Sequence, residues 1–382
     1  MNPIPQLYKQ WQSLQPLNPK LERDINQQFM IDFNYNSNHL EGNTLTYGQT
    51  KLLLLFGDTI GNASMQDYEE MKAHNVGLEL MKTEAKDKSR TLSENFIREL
   101  NHTILVRDFY KTSPDGDYRY KIHVGVYKTR PNSVITPTGE LFDYASPEET
   151  PSLMSDLVEW YRNEEQRGQL KVEELAALFH YRYIRIHPFE DGNGRIARLL
   201  VNYILLRNNY PMLVIRTDDR KNYLKALHLC DQLSGKIPYN GAHATLQQTK
   251  PLVDYISAIL ENKLTMLIQF VKGEIPEFIE AKEVEKNDTV KLENGTVKPE
   301  NDTVNEIFEG VKIKIEGVKD KLNQELGIIY DFIKEKPLVK INSIEKHIQK
   351  SNKTVKRYLK ILKDNGLIEY VGSDKTGGYK VL

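Results

Sequence analysis

His187-Pro188-Phe189-Glu190-Asp191-Gly192-Asn193-Gly194-Arg195-Ile196-Ala197-Arg198 is the stretch from which the rest of the chain can be read. Apolar periodicity from Val172 to Ile186 predicts a helix, and Pro188 ends it by disfavouring α backbone at His187. His187 therefore sits at a junction. Gly192, Asn193 and Gly194 are residue types that tolerate left-handed backbone, and such turns align successive amide N–H groups as a nest for anions. A second helix over 196–207 begins at once, and the partial positive charge of its N-terminus adds to the same place. Arg195 and Arg198 lie three apart, share a helix face and offer two planar forks to phosphate oxygens. Asp191, just ahead of the glycines, is an oxygen ligand suited to a Mg2+ ion that bridges those phosphates. Together these parts describe a polyphosphate site with a base beside it.

The segment matches the HxFx[DE]GNGRxxR signature of Fic domain proteins at every specified position, and on those residues the chain resembles that family. The resemblance implies transfer of AMP from ATP to Ser, Thr or Tyr hydroxyls of target proteins, and of the chain itself. It implies His187 as general base, Asp191 as the Mg2+ ligand, Gly192, Asn193, Gly194 and Arg195 around the α- and β-phosphates, and Arg198 on the γ-phosphate. Phe189 is expected to point into the core and fix the loop. The family places a tyrosine and a polar residue of the following helix near the base, and Tyr223 and Asp231 occupy comparable positions here. It also uses a hairpin flap to align the target by strand addition, a role that the alternating region 118–141 resembles. Far upstream, Ser37-Asn38-His39-Leu40-Glu41-Gly42 resembles the family's inhibitory motif, [ST]xxxE[GN]. Ser37 and Glu41 are four apart and face the same way on a helix. The resemblance implies that Glu41 pairs with Arg198 and takes the place the γ-phosphate requires, leaving ATP in an unproductive pose.

Outward from the two motifs, the expected fold class is mainly α: a Fic helical core with a β-hairpin flap, plus a small C-terminal α+β winged-helix domain. Helical spacing runs over 21–40, with Gly42 placed to end that helix, and Thr46 with Gln49 reads as a capping box opening the next. Amphipathic patterns over 68–82 and 92–106 complete a helical bundle. Between 114 and 151, alternation through Tyr118, Tyr120, Ile122, Val124 and Val126, with turn chemistry at 136–139, predicts a β-hairpin. Helices resume over 152–163 and 221–230. Beyond 271 the composition shifts to Lys, Glu, Asn, Val and Thr, and Asn287-Asp288-Thr289-Val290 recurs at 294–297 and 301–304, a seven-residue repeat too poor in apolar residues for a core. From 324 the pattern tightens again into three helices and a two-stranded tail turning at Gly377-Gly378. Residues 351–359 and 365–368 resemble a winged helix-turn-helix. The expected domains are 1–95, a helical region with the inhibitory helix; 96–270, the catalytic core; 271–322, a linker or arm; and 323–382, the winged helix.

Composition narrows the partners. The 382 residues are 39% apolar with a net charge of -1, so nothing draws the whole protein to nucleic acid or anionic lipid. One cysteine, Cys230, excludes an internal disulfide, and the sequence has no run of about 18 apolar residues, so a cytoplasmic protein without a membrane partner is expected. HExxH, CxxC and GxxxxGK[ST] are absent, which argues against zinc and an ordinary P-loop and leaves His180 and His228 as structural residues. Residues 321–382 carry thirteen Lys or Arg against seven Asp or Glu, which keeps DNA open as a partner of the C-terminal unit. Two other readings stay open: a DNA-binding regulator whose core senses nucleotide, and an enzyme of the same site that removes AMP or transfers another nucleotide or phosphate. Neither the target protein nor a homodimer is specified by sequence.

Overall fold

Helices α7 (Val172–Ile186) and α8 (Asn193–Arg207) bury residues around almost their whole circumference, and helices of that kind must be enclosed by others. In the computed structural model they pack on each other at the centre of the molecule. The structure describes residues 3–275 apart from 60, 62, 113–116 and 136–140, and in the C-terminal part 326, 329–330, 332–334, 339–348, 350, 352–364, 367–371 and 378–381. Helices α4 (Met65–Lys86) and α5 (Glu94–Leu105) cover α8, while α6 (Thr150–Arg167), α10 (Pro238–Ala242) and α11 (Lys250–Val271) cover α7. Helix α1 (Ile4–Ser13) lies on α11, as does α9 (Arg220–Ser234). A single hydrophobic core runs through all of these, from Ile4 to Ile268.

Helix α2 (Pro19–His39) departs from an ordinary amphipathic pattern. Its C-terminal half buries Asp32, Asn34, Asn36, Ser37 and Asn38 alongside Ile31 and Phe33, so much of what it turns inward is polar. It packs against α4 and α8, and this is the side of the molecule where the two sequence motifs meet. Gly42 follows two residues after its C-cap with φ 99°, the left-handed conformation that glycine adopts without steric cost. Helix α3 (Tyr47–Phe56) then starts on the expected capping box: Gln49 N donates to Thr46 Oγ1 at 3.2 Å and Thr46 N to Gln49 Oε1 at 2.8 Å.

The β region differs from its sequence reading. Strand β1 (Phe109–Thr112) pairs antiparallel with β2 (Arg119–Ile122), Phe109 opposite Ile122, so the first partner lies upstream of the alternating stretch. Alternation continues to Val126, but the strand stops at Ile122. Asp108 Oδ1 there accepts from Val124 N at 3.0 Å, and Gly125 turns the chain at φ 74°. A second, two-residue pair joins β3 (Val134–Ile135) to β4 (Leu141–Phe142). Where one hairpin was expected there are two short ones; the turn at 136–139 lies outside the described residues.

The chain divides into two compact units, Met1–Lys286 and Asn287–Leu382. In the second, α12 (Ile341–Ile348) and α13 (Asn352–Asp364) precede an antiparallel pair, β5 (Ile368–Val371) with β6 (Gly378–Val381). Leu326, Ile329, Ile333, Ile344, Val355, Leu359, Leu362 and Ile368 form its own core. The seven-residue repeats and Gly377 lie outside the described residues. No helix among those described is long and apolar enough to cross a membrane.

Candidate active site

His187 closes α7 as its C-cap with φ 52° and ψ 60°. Left-handed backbone is uncommon for a residue with a Cβ and persists where the surroundings hold it. The residue's own N–H donates to Tyr183 O at 2.9 Å, ending the helix, and its ring packs on Tyr144 with centroids 4.0 Å apart. His187 Nδ1 is buried without a hydrogen-bond partner among the described residues. Burial, then the nearby Lys128 ammonium, push its pKa down to about 3 against the opposing pull of Asp191, so the imidazole is neutral at physiological pH.

The following turn is tighter than the sequence reading allowed. Only Gly192 is left-handed, at φ 81°; Asn193 and Gly194 are already the first residues of α8. The Asn193 side chain is spent inside the loop, accepting from Phe189 N at 3.0 Å and donating to Phe189 O at 2.6 Å, and Phe189 itself is buried against Tyr127. The amides at the start of α8 are therefore presented by one left-handed glycine and a helix N-terminus, with Asn193 as the brace.

Asp191 sits at the edge of this turn. Its carboxylate pairs with Lys111 of β1 and lies 3.3 Å from Arg195, and its carbonyl accepts from Asn101 Nδ2 at 2.9 Å. Burial alone would raise its pKa, but Lys111 and Arg195 hold it below the usual carboxylate value, so it stays anionic. No group of three His, Cys, Asp or Glu among the described residues would hold a metal by itself. One anionic carboxylate is enough for Mg2+ where substrate oxygens and water complete its shell, and here the ion would take the place of Lys111 on Asp191.

Arg198 is 3% exposed and tied to the far end of α2. Nε donates to Ser37 Oγ at 3.0 Å, and Nη2 donates to Ser37 O and to Glu41 Oε1, each at 2.8 Å. Ser37 Oγ lies 3.1 Å from His74 Nε2, and His74 Nδ1 lies 2.6 Å from Asn34 Oδ1. Because Asn34 Nδ2 donates elsewhere, its Oδ1 accepts, which fixes the relay: Arg198 to Ser37, Ser37 to His74, His74 to Asn34. Glu41 lies against Gly194 so closely that a Cβ there would stand 2.1 Å from Glu41 Oε1. The carboxylate thus rests on the N-terminus of α8 as well as on Arg198. Arg195, also buried, lies 3.6 Å from Glu70 of α4.

Tyr223 and Asp231 of α9 are both engaged by other side chains of the site. The Tyr223 hydroxyl lies 2.8 Å from His180 Nε2, on the Arg198 side of the pocket, and burial pushes it up to about 12. Asp231 accepts from Tyr181 OH at 2.9 Å and lies 3.5 Å from Arg185, whose guanidinium stacks on Phe142 of β4. The ring that meets His187 is Tyr144, which no sequence pattern marked. Lys128, Asn132, Lys111, His74 and Asn101 likewise reach the site without any motif to announce them.

Three buried histidines, His74, His180 and His187, are all held neutral, chiefly by desolvation, with His180 pushed down to about 4. Unfolded, each titrates near 6.5, so below that pH the unfolded chain binds more protons and stability falls as the pH drops from about 6.5 toward 4. One pH unit below 6.5, each contributes a loss of about 1.4 kcal/mol. The thermal midpoint is expected to fall between pH 7.5 and 5.5, and His180→Gln to remove roughly one histidine's share of that dependence. A midpoint insensitive to pH over this range would mean these rings are not buried uncharged.

Residues 91–205, which include the whole turn, match the Fic/DOC family. A Fic domain containing signaling protein from Bacteroides thetaiotaomicron is 60% identical in solved structure, with a TM-score of 0.68, covering 72% of this chain and 99% of that one. Fic-1 of Caenorhabditis elegans shares the fold at 24% identity and a TM-score of 0.55, over 71% of this chain and 72% of that one. Among named relatives, protein adenylyltransferase fic-1 of C. elegans is 28% identical over 239 residues, 62% of this chain and 41% of its own length. Protein adenylyltransferase Fic of Nematostella vectensis is 28% identical over 194 residues, 51% of this chain and 42% of its own. The chain thus spans about two fifths of these relatives. With the HxFx[DE]GNGRxxR turn built on the α7–α8 junction and a solved relative matched over nearly its full length, this chain belongs to the Fic/DOC family.

Proposed function

We propose that the chain is a protein adenylyltransferase that moves AMP from ATP onto hydroxyl groups of target proteins and is held in check by its own Glu41. The observation that carries the reading is the seat of the Glu41 carboxylate, on Arg198 and on the N-terminus of α8 beside the His187 turn. An anion of the chain's own occupies the position that an anionic substrate group would need.

The chemistry follows from the residues. ATP is cradled by the amides at Gly192–Gly194 and by Arg195, and Arg198 grips the terminal phosphate once Glu41 has left. The target hydroxyl approaches the α-phosphorus in line, and His187 accepts its proton as the new P–O bond forms and the bond to pyrophosphate breaks. Burial keeps the imidazole uncharged, the form that accepts a proton, and the negative phosphates of bound nucleotide oppose that depression and raise its basicity. Held at Asp191, Mg2+ supplies neutralisation of the phosphate oxygens. The test compares wild type with Glu41→Gly after incubation with ATP and Mg2+, reading AMP adducts by mass spectrometry. Gain of adducts is expected, and equal or lower adduct formation would count against the inhibitory reading.

A second reading concerns the C-terminal unit alone: a winged helix-turn-helix that binds DNA. What favours it is α13, which buries Val355, Tyr358, Leu359 and Leu362 and exposes Lys356, Arg357, Lys360 and Lys363 as a basic face. If those four residues meet phosphates, the logarithm of affinity of the full chain for duplex DNA should fall with that of salt at a slope of about -3.6. Anisotropy titrations across a salt series measure it, and no binding at low salt ends the idea.

A further inference from the structure

Residues 128–132 run along the turn 186–190 and satisfy its carbonyls in succession. Lys128 Nζ donates to Ile186 O at 3.0 Å and to Asn132 Oδ1 at 2.9 Å. Asn132 Nδ2 donates to His187 O at 3.1 Å and to Phe189 O at 2.9 Å. Between them, Lys128 N donates to Pro188 O at 2.8 Å. Thr129 extends the same edge, its N and Oγ1 both donating to Glu190 Oε1, at 3.2 and 3.0 Å. Four consecutive carbonyls, 186 to 189, are thus held by two side chains and one amide of a single short segment, with Asn193 sharing the last.

Such an arrangement answers two physical demands. The final carbonyls of a helix lack partners within it, and a cation there meets the negative end of the helix dipole. A histidine in left-handed backbone must be over-determined by its neighbours to stay there. Lys128 is 3% exposed and burial lowers its pKa to about 7, so its ammonium form is not held without compensation. Its compensation here is the end of α7 and the Asn132 amide oxygen. Truncating Asn132 frees the carbonyl on the very residue whose ring is needed, and truncating Lys128 frees the one before it and removes the donor that holds the Asn132 amide oxygen.

We infer that Lys128 and Asn132 are positioning residues for His187: they lock the backbone at 186–189 so that the imidazole is presented to the reacting hydroxyl. The inference rests on the reading of His187 as the base. Its neighbours in charge are Lys128 and Asp191, and Tyr144 packs on the ring; none of them takes the proton in this scheme.

The test uses the full chain carrying Glu41→Gly, so that turnover is measurable. Asn132→Asp preserves the acceptor for Lys128 and removes both N–H donors. It should lower kcat about ten- to a hundredfold, the usual effect of misplacing a catalytic group, while the dissociation constant for ATP, titrated without Mg2+, stays within about twofold. Lys128→Met should act in the same direction, with Lys128→Arg restoring part of the rate. A kcat within twofold of the parent for Asn132→Asp overturns the inference, and so does an equal loss of rate and ATP affinity, which reports a collapsed pocket. The Cε1–H resonance of His187 gives a readout independent of turnover, expected to shift in Asn132→Asp and overturning the inference if it does not. Absence of AMP transfer by the Glu41→Gly parent sinks the adenylyltransferase reading instead, and the resonance then judges the clamp by itself.

Discussion

Replacing His187 with Ala in the Glu41→Gly chain should lower label transfer from α-labelled ATP by about a hundredfold or more, the range associated with loss of a general base. The loss should fall on kcat. On the proposed reading the phosphates are held by the α8 amides, Arg195 and Arg198, none of which uses the imidazole, so ATP affinity should change little. The fold should survive as well, because the ring's Nδ1 makes no hydrogen bond among the described residues and the backbone at 187 is held through its own N–H and carbonyl. His187→Asn is a useful companion, since asparagine accepts left-handed backbone more readily than alanine. Retention of full rate in both variants would remove His187 from the mechanism.

The second large effect is expected in the opposite direction. Glu41 binds Arg198 through one charge-assisted hydrogen bond, with the carboxylate 39% and the guanidinium 3% exposed at their side chains. A hydrogen bond to a charged group is worth about 1.5–3 kcal/mol, which corresponds to about ten- to a hundredfold in the fraction of molecules whose Arg198 is free for substrate. Glu41→Gly should therefore raise AMP transfer by about that factor. Glu41→Gln separates charge from shape: it retains a side chain of the same size without the ion pair and should give an intermediate rise. Ser37 is not an equivalent handle. Its hydroxyl links Arg198 to His74, and Ser37→Ala leaves Arg198 Nε and His74 without that partner, disturbing the arginine itself.

Local chemistry was legible in the sequence wherever one residue type answers one local demand. The capping box at Thr46 and Gln49, the end of α7 at the residue before Pro188 and the left-handed Gly42 all belong to that kind. The meeting of Ser37 and Glu41 with Arg198 spans about 160 positions, and spacing alone could not give it; it came from resemblance to a family. Where neither a local demand nor a motif operates, the sequence was silent. Tyr144 reaches His187 from the loop after β4, and Lys128 and Asn132 act through backbone carbonyls that any residue could supply. The partners of Asp231, Arg185 and Tyr181, were not legible either, because position along a helix does not fix which neighbours a side chain faces. Alternation through Val126 suggested a longer strand than exists, since period-two spacing in a loop looks the same until a turn such as Gly125 breaks it.

Gly194 carries a last implication. A methyl group at that position would collide with Glu41 Oε1 and press on Arg198 Nη1, at 2.1 and 3.1 Å. On the proposed reading the brake and the nucleotide share the space beside Gly194, and a side chain there would exclude both. A lineage abandoning self-restraint cannot do so by changing the glycine without also spoiling the cradle. It has to surrender the glutamate, and the two ends of this contact are therefore free to vary to very different degrees.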